Sequence, residues 1–185
     1  MFRRAGGLLE GHFRLTSGLH SSGYMQSALV LQHPSDAAAL GSALAERVKD
    51  LRPAVVLSPA LGGVIIGHEV ARALGVRALF VERGAPPNTA LSLRRGFTLS
   101  PGVRVLVVED VLTTGGSTRE TMEVARSAGA IVVGAAALVD RSGGAINFGL
   151  PHHALVEIAL PTYEADNCPL CAQGIPITKP GSRPT

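Results

Sequence analysis

Short runs of apolar residues alternate along the chain with segments whose apolar residues recur every three or four positions. The runs, rich in valine, leucine and alanine, predict buried strands, and the periodic segments predict helices. The predicted strands are Val55–Leu57, Ala78–Glu82, Val103–Glu109, Ile131–Asp140 and a last one near Leu155–Leu160. The predicted helices are Pro34–Asp50, Val64–Leu74, which ends at Gly75, and Ser117–Ser127, which ends by Gly129.

The first of these helices carries short polar residues near its start. We expect Ser35 or Asp36 as its N-cap, since short polar side chains satisfy free backbone N–H groups at a helix start. Its apolar face is predicted to be Ala39, Leu40, Ala43, Leu44 and Val48.

The alternation of strands and helices predicts the fold class. It is typical of an α/β fold in which a mainly parallel, twisted sheet is covered by helices on both faces. Ligands of such sheets bind at the carboxyl ends of the strands. Three loops follow predicted strands there and are candidates for a site: residues 58–63, 83–95 and 109–118.

We expect a single domain over residues 1–185, a length that fits one core. Residues 1–33 carry polar turns and predict a hairpin region, which forms a small hood with part of the C-terminal segment. Residues 34–150 form the core. Residues 151–185 contribute a last strand and a tail with the Cys-x-x-Cys pair Cys168 and Cys171.

Composition excludes several classes of protein. Hydrophobic residues make up 46% of the chain, enough for a core, although aromatic residues make up only 4%. No apolar run reaches the roughly 18 residues of a membrane span, and the N-terminal residues lack the apolar stretch of a signal peptide. The net charge of +3 comes without a dense basic cluster, so it indicates an ordinary solvated surface. We therefore expect a cytoplasmic protein that binds neither nucleic acid nor membrane.

Two carboxylates precede a run of hydroxyls and glycines in the stretch VLVVEDVLTTGGST, from Val105 to Thr118. Glu109 and Asp110 stand at the predicted end of a core strand, and Thr113–Thr118, named here the phosphate cradle, open the next helix. Unpaired N–H groups at a helix start attract anions, and hydroxyls add donors. A ribose 5′-phosphate fits this pattern, because ribose hydroxyls can donate to the carboxylates while the phosphate lies in the cradle. The glycine spacings of Walker and dinucleotide motifs are absent.

The same stretch resembles the motif that binds 5-phosphoribosyl 1-pyrophosphate (PRPP) in type I phosphoribosyltransferases. Two further stretches are similar to segments of the orotate phosphoribosyltransferases: EGHFRLTSGLHSSGYMQSALVLQ near the N-terminus and LVDRSGG at the end of the fourth predicted strand. With SPALGGVIIGHEVARALG and the tail YEADNCPLCAQGIP, the resemblance covers nearly the whole chain. It is closest to a bacterial branch that ends in such a Cys-Pro-Leu-Cys tail.

The resemblance implies the site residues. PRPP would be bound by Arg83, Glu109, Asp110, Val111, Leu112, Thr113, Thr114, Gly115, Gly116 and Ser117. Thr113 would also contact orotate, and Arg141 would pair with the orotate carboxylate, a task that suits a guanidinium fork. A pyrophosphate loop would consist of Ser58, Pro59, Ala60, Leu61, Gly62 and Gly63, with a non-proline cis peptide between Ala60 and Leu61. Residues 84–95 would form a mobile lid, and Arg83, Arg94 and Arg95 would be its catalytic cations.

The resemblance also implies the reaction. Orotate N1 would displace pyrophosphate from ribose C1 to give orotidine 5′-monophosphate, a step of pyrimidine biosynthesis. Mg²⁺ carried by PRPP would be the cofactor and would stabilise charge on the leaving pyrophosphate, while the lid excludes water. A homodimer with shared active sites is expected.

The chain departs from better-known relatives at several lysine positions. Thr16, Gly62, Gly84 and Pro87 stand where those relatives carry lysine, and Thr89 stands where they carry histidine. Two alternatives therefore stay open: a phosphoribosyltransferase for another base, and a PRPP-sensing regulator without catalysis.

No protein-held metal is expected. Cys168 and Cys171 supply half of a zinc site, which needs four ligands, so a reduced pair in a tight turn is the simpler interpretation. His152 and His153 lie nearest to them in sequence. His12 and His20 have no ligand spacing and are expected to be surface or packing histidines.

Overall fold

The computed structural model describes residues 1–15 and 17–180. Thr16, one of the lysine positions of relatives, lies outside them. The strands are β1 (Leu8–Arg14), β2 (His20–Met25), β3 (Val55–Pro59), β4 (Arg77–Arg83), β5 (Leu91–Leu93), β6 (Arg104–Leu112), β7 (Ile131–Asp140), β8 (His152–Glu157) and β9 (Thr162–Tyr163). The α-helices are α1 (Ala28–Leu31), α2 (Pro34–Val48), α3 (Gly62–Leu74), α4 (Gly116–Ser127) and α5 (Pro169–Ala172). Short 3-10 helices occupy Lys49–Leu51 and Ala165–Asn167.

The chain divides into two compact units. The larger is Leu31–Ile158, and the smaller combines Met1–Val30 with Ala159–Thr185. The larger unit holds a six-stranded sheet in the order β5-β4-β3-β6-β7-β8. Every neighbouring pair is parallel except β4 and β5, which are antiparallel. The predicted fold class, a mainly parallel sheet with helices on both faces, is confirmed.

Alternation along the strands separates the two faces of this sheet. Val55 and Leu57 of β3 join the core cluster that contains Met122 of α4. Val56 and Ser58 point to the opposite face, where Gly67 of α3 lies against both. Helix α2 packs outside α3 through a close approach at Gly41, where a β-carbon would lie 2.5 Å from the β-carbon of Glu69.

Several predicted elements differ from those observed. Strand β6 continues to Leu112, so Glu109 and Asp110 lie within it rather than at its end. The predicted loop 83–93 contains β5, which pairs with β4. The N-cap of α2 is His33, with Pro34 in the first turn, so the predicted caps at Ser35 and Asp36 were wrong.

The buried face of α2 also differs from the prediction. It comprises Asp36, Ala37, Gly41, Leu44, Ala45 and Val48, while Ala39 and Ala43 are exposed. Gly41, which lets α3 approach closely, lies on this buried face. The pattern of alanines alone did not reveal which face is buried.

The smaller unit is a three-stranded antiparallel sheet in the order β1-β2-β9. The predicted hairpin region is confirmed as β1 and β2. The C-terminal segment lies beside β1, because the Arg14 N–H donates to the Thr178 carbonyl and the Thr178 N–H donates to the His12 carbonyl, both at 2.8 Å. Among the described residues, none of the helices is long and apolar enough to span a membrane.

Candidate active site

The carboxyl ends of four parallel strands meet at one edge of the larger unit's sheet. Pro59 of β3 pairs with Val81 near the end of β4, and Leu112 of β6 pairs with Asp140 of β7. The pyrophosphate loop, the lid, the phosphate cradle and the Arg141 loop all follow these ends. The fold therefore gathers the sequence-predicted site residues at the edge where ligands of such sheets bind.

Glu109 is a buried carboxyl group at this edge, with 6% of its surface exposed. The Ser117 hydroxyl donates a hydrogen bond to its Oε2 at 2.7 Å. Burial, and next the negative charge of Asp110, raise the pKa of Glu109 to about 8, against the opposing effect of the Ser117 hydrogen bond. At neutral pH this carboxyl group is therefore mostly protonated, and the pair carries less charge than two ordinary acids.

Asp110 follows Glu109 in β6, and its carboxyl group lies close enough to that of Glu109 to raise the pKa of Glu109. A β-carbon at Gly62 would lie 2.6 Å from its Oδ1 and 2.7 Å from its Oδ2. The Asp110 carboxylate thus fills the space that a side chain at position 62 would need. A side chain at position 62 would therefore require the Asp110 carboxylate to move.

The phosphate cradle turns from β6 into α4. Gly115 adopts a left-handed conformation with φ of 76° at the N-cap of α4. The free N–H groups at the N-terminus of α4 face the turn. Val111 and Leu112 belong to β6, and the Leu112 side chain is buried, so this residue can offer a ligand only its backbone.

Arg119 holds the cradle in place, a role that sequence reasoning missed. Its guanidinium donates to the Thr114 carbonyl at 3.1 Å and to the Asn147 carbonyl at 2.9 Å. It also lies 4.9 Å from the centre of the Phe148 ring. These contacts tie the cradle to the loop after β7, and only the pairing of β6 with β7 makes them possible.

The pyrophosphate loop contains the expected cis peptide between Ala60 and Leu61. The Ala60 N–H donates to the Val81 carbonyl at 2.8 Å, which ties the loop to β4. The buried Ser58 hydroxyl has no hydrogen-bond partner within the described part of the chain, and Gly67 leaves room for it.

Arg83 ends β4 and is paired with two other groups. It donates to the Thr89 carbonyl at 2.9 Å and forms an ion pair with Glu120 of α4, at 3.0 Å from Oε2. Glu120 was not among the sequence-predicted residues, because nothing in its helix pattern points toward β4. The guanidinium therefore links the lid to the helix that follows the cradle.

Arg94 and Arg95 are neighbours in sequence but differ in structure. Arg95 donates twice to Glu82, at 2.8 Å and 2.9 Å, and its guanidinium lies 5.8 Å from the Phe80 ring centre. It adopts φ of 56°, and Gly96 follows with φ of 76°. The Arg94 side chain is exposed. Both arginines are exposed, and the contacts with Glu82 and Phe80 make Arg95 a support of the lid.

Arg141 follows β7 and is half-buried. Its backbone N–H donates to the Leu112 carbonyl at 2.8 Å, so the residue lies beside the end of β6. The Ser142 N–H donates to Asp140 Oδ1 at 2.7 Å, which fixes the turn after the strand. Arg141 thus stands next to the residues that lead into the cradle.

The smaller unit brings together two histidines and two cysteines for which the sequence showed no common ligand spacing. His12 and His20 are buried, and the structure brings them together with Cys168 and Cys171, with one potential ligand atom of each within 4.8 Å of all the others. His152 and His153 belong to β8 of the larger unit. Spacing could not reveal this cluster, since His12 and Cys168 are 156 positions apart in sequence.

Comparisons with known proteins agree with this geometry. A family model described as "Phosphoribosyl transferase domain" matches residues 27–147. The orotate phosphoribosyltransferase of Pelotomaculum thermopropionicum is 54% identical over 183 residues, which cover 99% of this chain and 95% of that protein. The orotate phosphoribosyltransferase of Desulforamulus reducens is 53% identical over 183 residues, which cover 99% of this chain and 94% of that protein. A solved orotate phosphoribosyltransferase from Aeropyrum pernix has a TM-score of 0.70 at 30% identity, with 85% of this chain and 91% of that chain covered. The chain therefore belongs to the phosphoribosyltransferase family and, within it, to the orotate phosphoribosyltransferases.

Proposed function

We propose that this protein transfers the 5-phosphoribosyl group from PRPP to orotate, giving orotidine 5′-monophosphate and pyrophosphate in pyrimidine biosynthesis. The observation that carries the proposal is the carboxyl pair Glu109 and Asp110 in the last residues of β6, separated by two residues from the phosphate cradle at the carboxyl edge of a parallel sheet. The names of relatives about half identical over nearly the whole chain support the same reaction.

The cradle binds the 5′-phosphate and the carboxyl pair binds the ribose. Backbone N–H groups at the start of α4, including that of Ser117, and the hydroxyls of Thr113 and Thr114 act as donors to the phosphate, while the Ser117 hydroxyl donates to Glu109. The ribose 2′ and 3′ hydroxyls contact Glu109 and Asp110. The raised pKa of Glu109 helps here, because a protonated carboxyl group does not repel the incoming phosphate and can itself donate a hydrogen bond.

Orotate is oriented by Arg141 and Thr113. Arg141 pairs with the orotate carboxylate through two parallel hydrogen bonds, which directs N1 toward ribose C1. As N1 bonds to C1, the bond from C1 to the pyrophosphate oxygen breaks and its electron pair leaves with the pyrophosphate, while the N1 proton is released to the pyrophosphate or to solvent. Arg141 acts on the ground state of orotate as well as on the transition state, so its loss weakens orotate binding first.

The leaving pyrophosphate lies between the pyrophosphate loop and the lid. Backbone N–H groups of Ser58–Gly63 and the guanidinium of Arg83 bind it, and Arg83 exchanges its contact with Glu120 for the ligand. Arg94 contributes its charge when the lid closes, and Arg95 supports the lid from Glu82. The charge that grows on the pyrophosphate is thus met by arginines where relatives use lysines.

Mg²⁺ is proposed as the cofactor, carried on the diphosphate of PRPP. The donor set fits it, because Mg²⁺ prefers hard oxygen ligands and the edge offers the Asp110 carboxylate beside the Gly62 backbone. When bound, Mg²⁺ neutralises part of the pyrophosphate charge.

A homodimer in the cytoplasm is proposed for the assembled enzyme. Leu61 and Ile65 at the start of α3 are 78% and 45% exposed, which is unusual for large apolar side chains beside a site and suits a subunit contact. Both cysteines are free, in keeping with a reducing compartment. Light scattering of the active protein at the mass of one chain would contradict the dimer.

Turnover with separated substrates tests the function. The purified protein is incubated with PRPP, Mg²⁺ and either orotate or adenine, and nucleotide and pyrophosphate are both quantified. We expect equal amounts of orotidine 5′-monophosphate and pyrophosphate with orotate and no nucleotide with adenine. Nucleotide formed from adenine instead would indicate another base, and PRPP binding without any product would indicate a sensor.

A further inference from the structure

We propose that His12, His20, Cys168 and Cys171 bind one structural Zn²⁺ ion in the smaller unit. These side chains come from β1, from the start of β2 and from the segment of α5. This site is separate from the catalytic edge, which lies wholly in the larger unit, and it does not depend on the proposed reaction.

The distances among the four side chains match a tetrahedral zinc site. Zinc lies about 2.0–2.1 Å from nitrogen and about 2.3 Å from sulfur, so tetrahedral geometry requires N···N near about 3.3 Å and N···S near about 3.6 Å. In the structure His12 Nε2 lies 3.1 Å from His20 Nδ1. The same atom lies 3.6 Å from Cys168 Sγ and 3.7 Å from Cys171 Sγ, and His20 Nδ1 lies 3.3 Å from Cys171 Sγ.

The tautomer of His12 is fixed by a neighbouring carbonyl. Its Nδ1 lies 2.7 Å from the Ile175 carbonyl oxygen, which can only accept, so Nδ1 carries the proton. Neutral Nε2 therefore presents its lone pair to His20 and to the two sulfurs. A backbone carbonyl that orients a histidine in this way is the usual outer partner of a zinc ligand.

Buried polar side chains without partners cost free energy of folding. Zinc bound to the four side chains would remove that cost. His12, His20 and Cys168 are buried, and Cys171 is exposed, so an ion can enter from the Cys171 side. Zinc replaces the two thiol protons, which are released to solvent, and satisfies both nitrogens and both sulfurs at once. The donor set of two thiolates and two imidazoles selects zinc among common metals, because it is soft and tetrahedral.

The smaller unit has a physical need for such a link. Among its described residues, the buried hydrophobic side chains are only Phe13, Met25, Val30 and Cys168. A core of this size seldom holds a small unit together without a disulfide or a metal, and here both cysteines are free. Zinc would join the N-terminal hairpin to the C-terminal segment where Thr178 already pairs with β1.

Elemental analysis of the full-length protein tests the proposal. The protein is purified without a metal-affinity tag, reduced, and dialysed against metal-free buffer, and zinc is measured per chain. We expect one zinc per chain in the wild type and in His68→Ala, a control that removes an exposed histidine of α3. His12→Ala and Cys171→Ser should weaken zinc binding by more than about 100-fold, since each removes a ligand.

A cobalt titration keeps the test decisive if these variants fail to fold. The wild-type protein is stripped with a chelator and titrated with Co²⁺, and visible spectra are recorded with the melting temperature. We expect tetrahedral Co²⁺ bands with thiolate charge transfer at one equivalent, and a melting temperature that rises on adding Zn²⁺. A reduced wild type that contains no zinc and shows no such bands would overturn the proposal, as would a Cys168–Cys171 disulfide in the protein freshly isolated from cells.

Discussion

Replacing Glu109 by glutamine tests the ionisation of the carboxyl pair. Glutamine keeps the size of the side chain and can still accept the hydrogen bond from Ser117 Oγ, but it carries no charge at any pH. The wild-type carboxyl group has its pKa raised from 4.5 to about 8 in the folded protein. Between these two values the unfolded chain releases a proton that the folded chain retains.

The sign and size of the effect follow from that difference. A folded-state pKa above the unfolded value means that the contribution of Glu109 to stability is fully present below pH 4.5 and is lost as the pH rises toward 8. The slope reaches about 1.4 kcal/mol per pH unit. Integrated from pH 5 to pH 8, the free energy of unfolding falls by about 3 to 4 kcal/mol in the wild type relative to Glu109→Gln.

Denaturant unfolding at a series of pH values measures this difference. Wild type, Glu109→Gln and Glu157→Gln are unfolded in urea from pH 5 to pH 8; the last variant removes an exposed carboxylate of β8 and serves as the control. We expect the advantage of Glu109→Gln over the wild type to grow as the pH rises, while Glu157→Gln parallels the wild type. Parallel curves for all three proteins would refute the reasoning, because Glu109 would then be an ordinary ionised acid.

Three predictions concern the ligands. Asp110→Asn should weaken binding of PRPP with Mg²⁺ in calorimetry, since it removes a charged acceptor for the ribose; unchanged affinity would contradict the ribose assignment. Arg141→Ala should lower kcat/KM for orotate by about 30-fold to about 1,000-fold while PRPP binding survives, and equal losses for both ligands would make Arg141 structural. Arg94→Ala should lower kcat about 100-fold with little change in KM, whereas Arg95→Ala should mainly lower the melting temperature through loss of the Glu82 contact. Steady-state kinetics and thermal unfolding measure both effects. A loss of kcat in Arg95→Ala and a lower melting temperature in Arg94→Ala would contradict these roles.

The central sheet and its helices could be predicted from sequence because local pattern determines them. Strands buried on both faces appear as continuous apolar runs, and Ile131–Asp140 was predicted with its observed bounds. Gly75 ends α3 in a left-handed conformation with φ of 69°, which glycine adopts without cost. Leu44 and Val48 of the buried face of α2 were predicted, but Gly41 was not, because it meets Glu69 of a different helix and no local pattern reports a contact of that kind.

The site was predictable in part for a related reason. The cradle and the carboxyl pair are contiguous in sequence, so the order of residue types reveals their chemistry. The Arg83–Glu120 ion pair, the Arg119 contacts to the cradle, and the approach of Asp110 to Gly62 join segments that only the fold brings together. The four-residue cluster of the smaller unit is the extreme case, since it joins the beginning of the chain to its end.

A crystal structure of the protein with PRPP, Mg²⁺ and an unreactive orotate analogue tests the central claim most directly. We expect the 5′-phosphate on the N–H groups of Thr113–Ser117 and the ribose hydroxyls within about 3 Å of the Glu109 and Asp110 carboxyl groups. We also expect the analogue's carboxylate to be paired with the Arg141 guanidinium. PRPP bound away from the cradle, or a carboxylate held by a group other than Arg141, would contradict that claim.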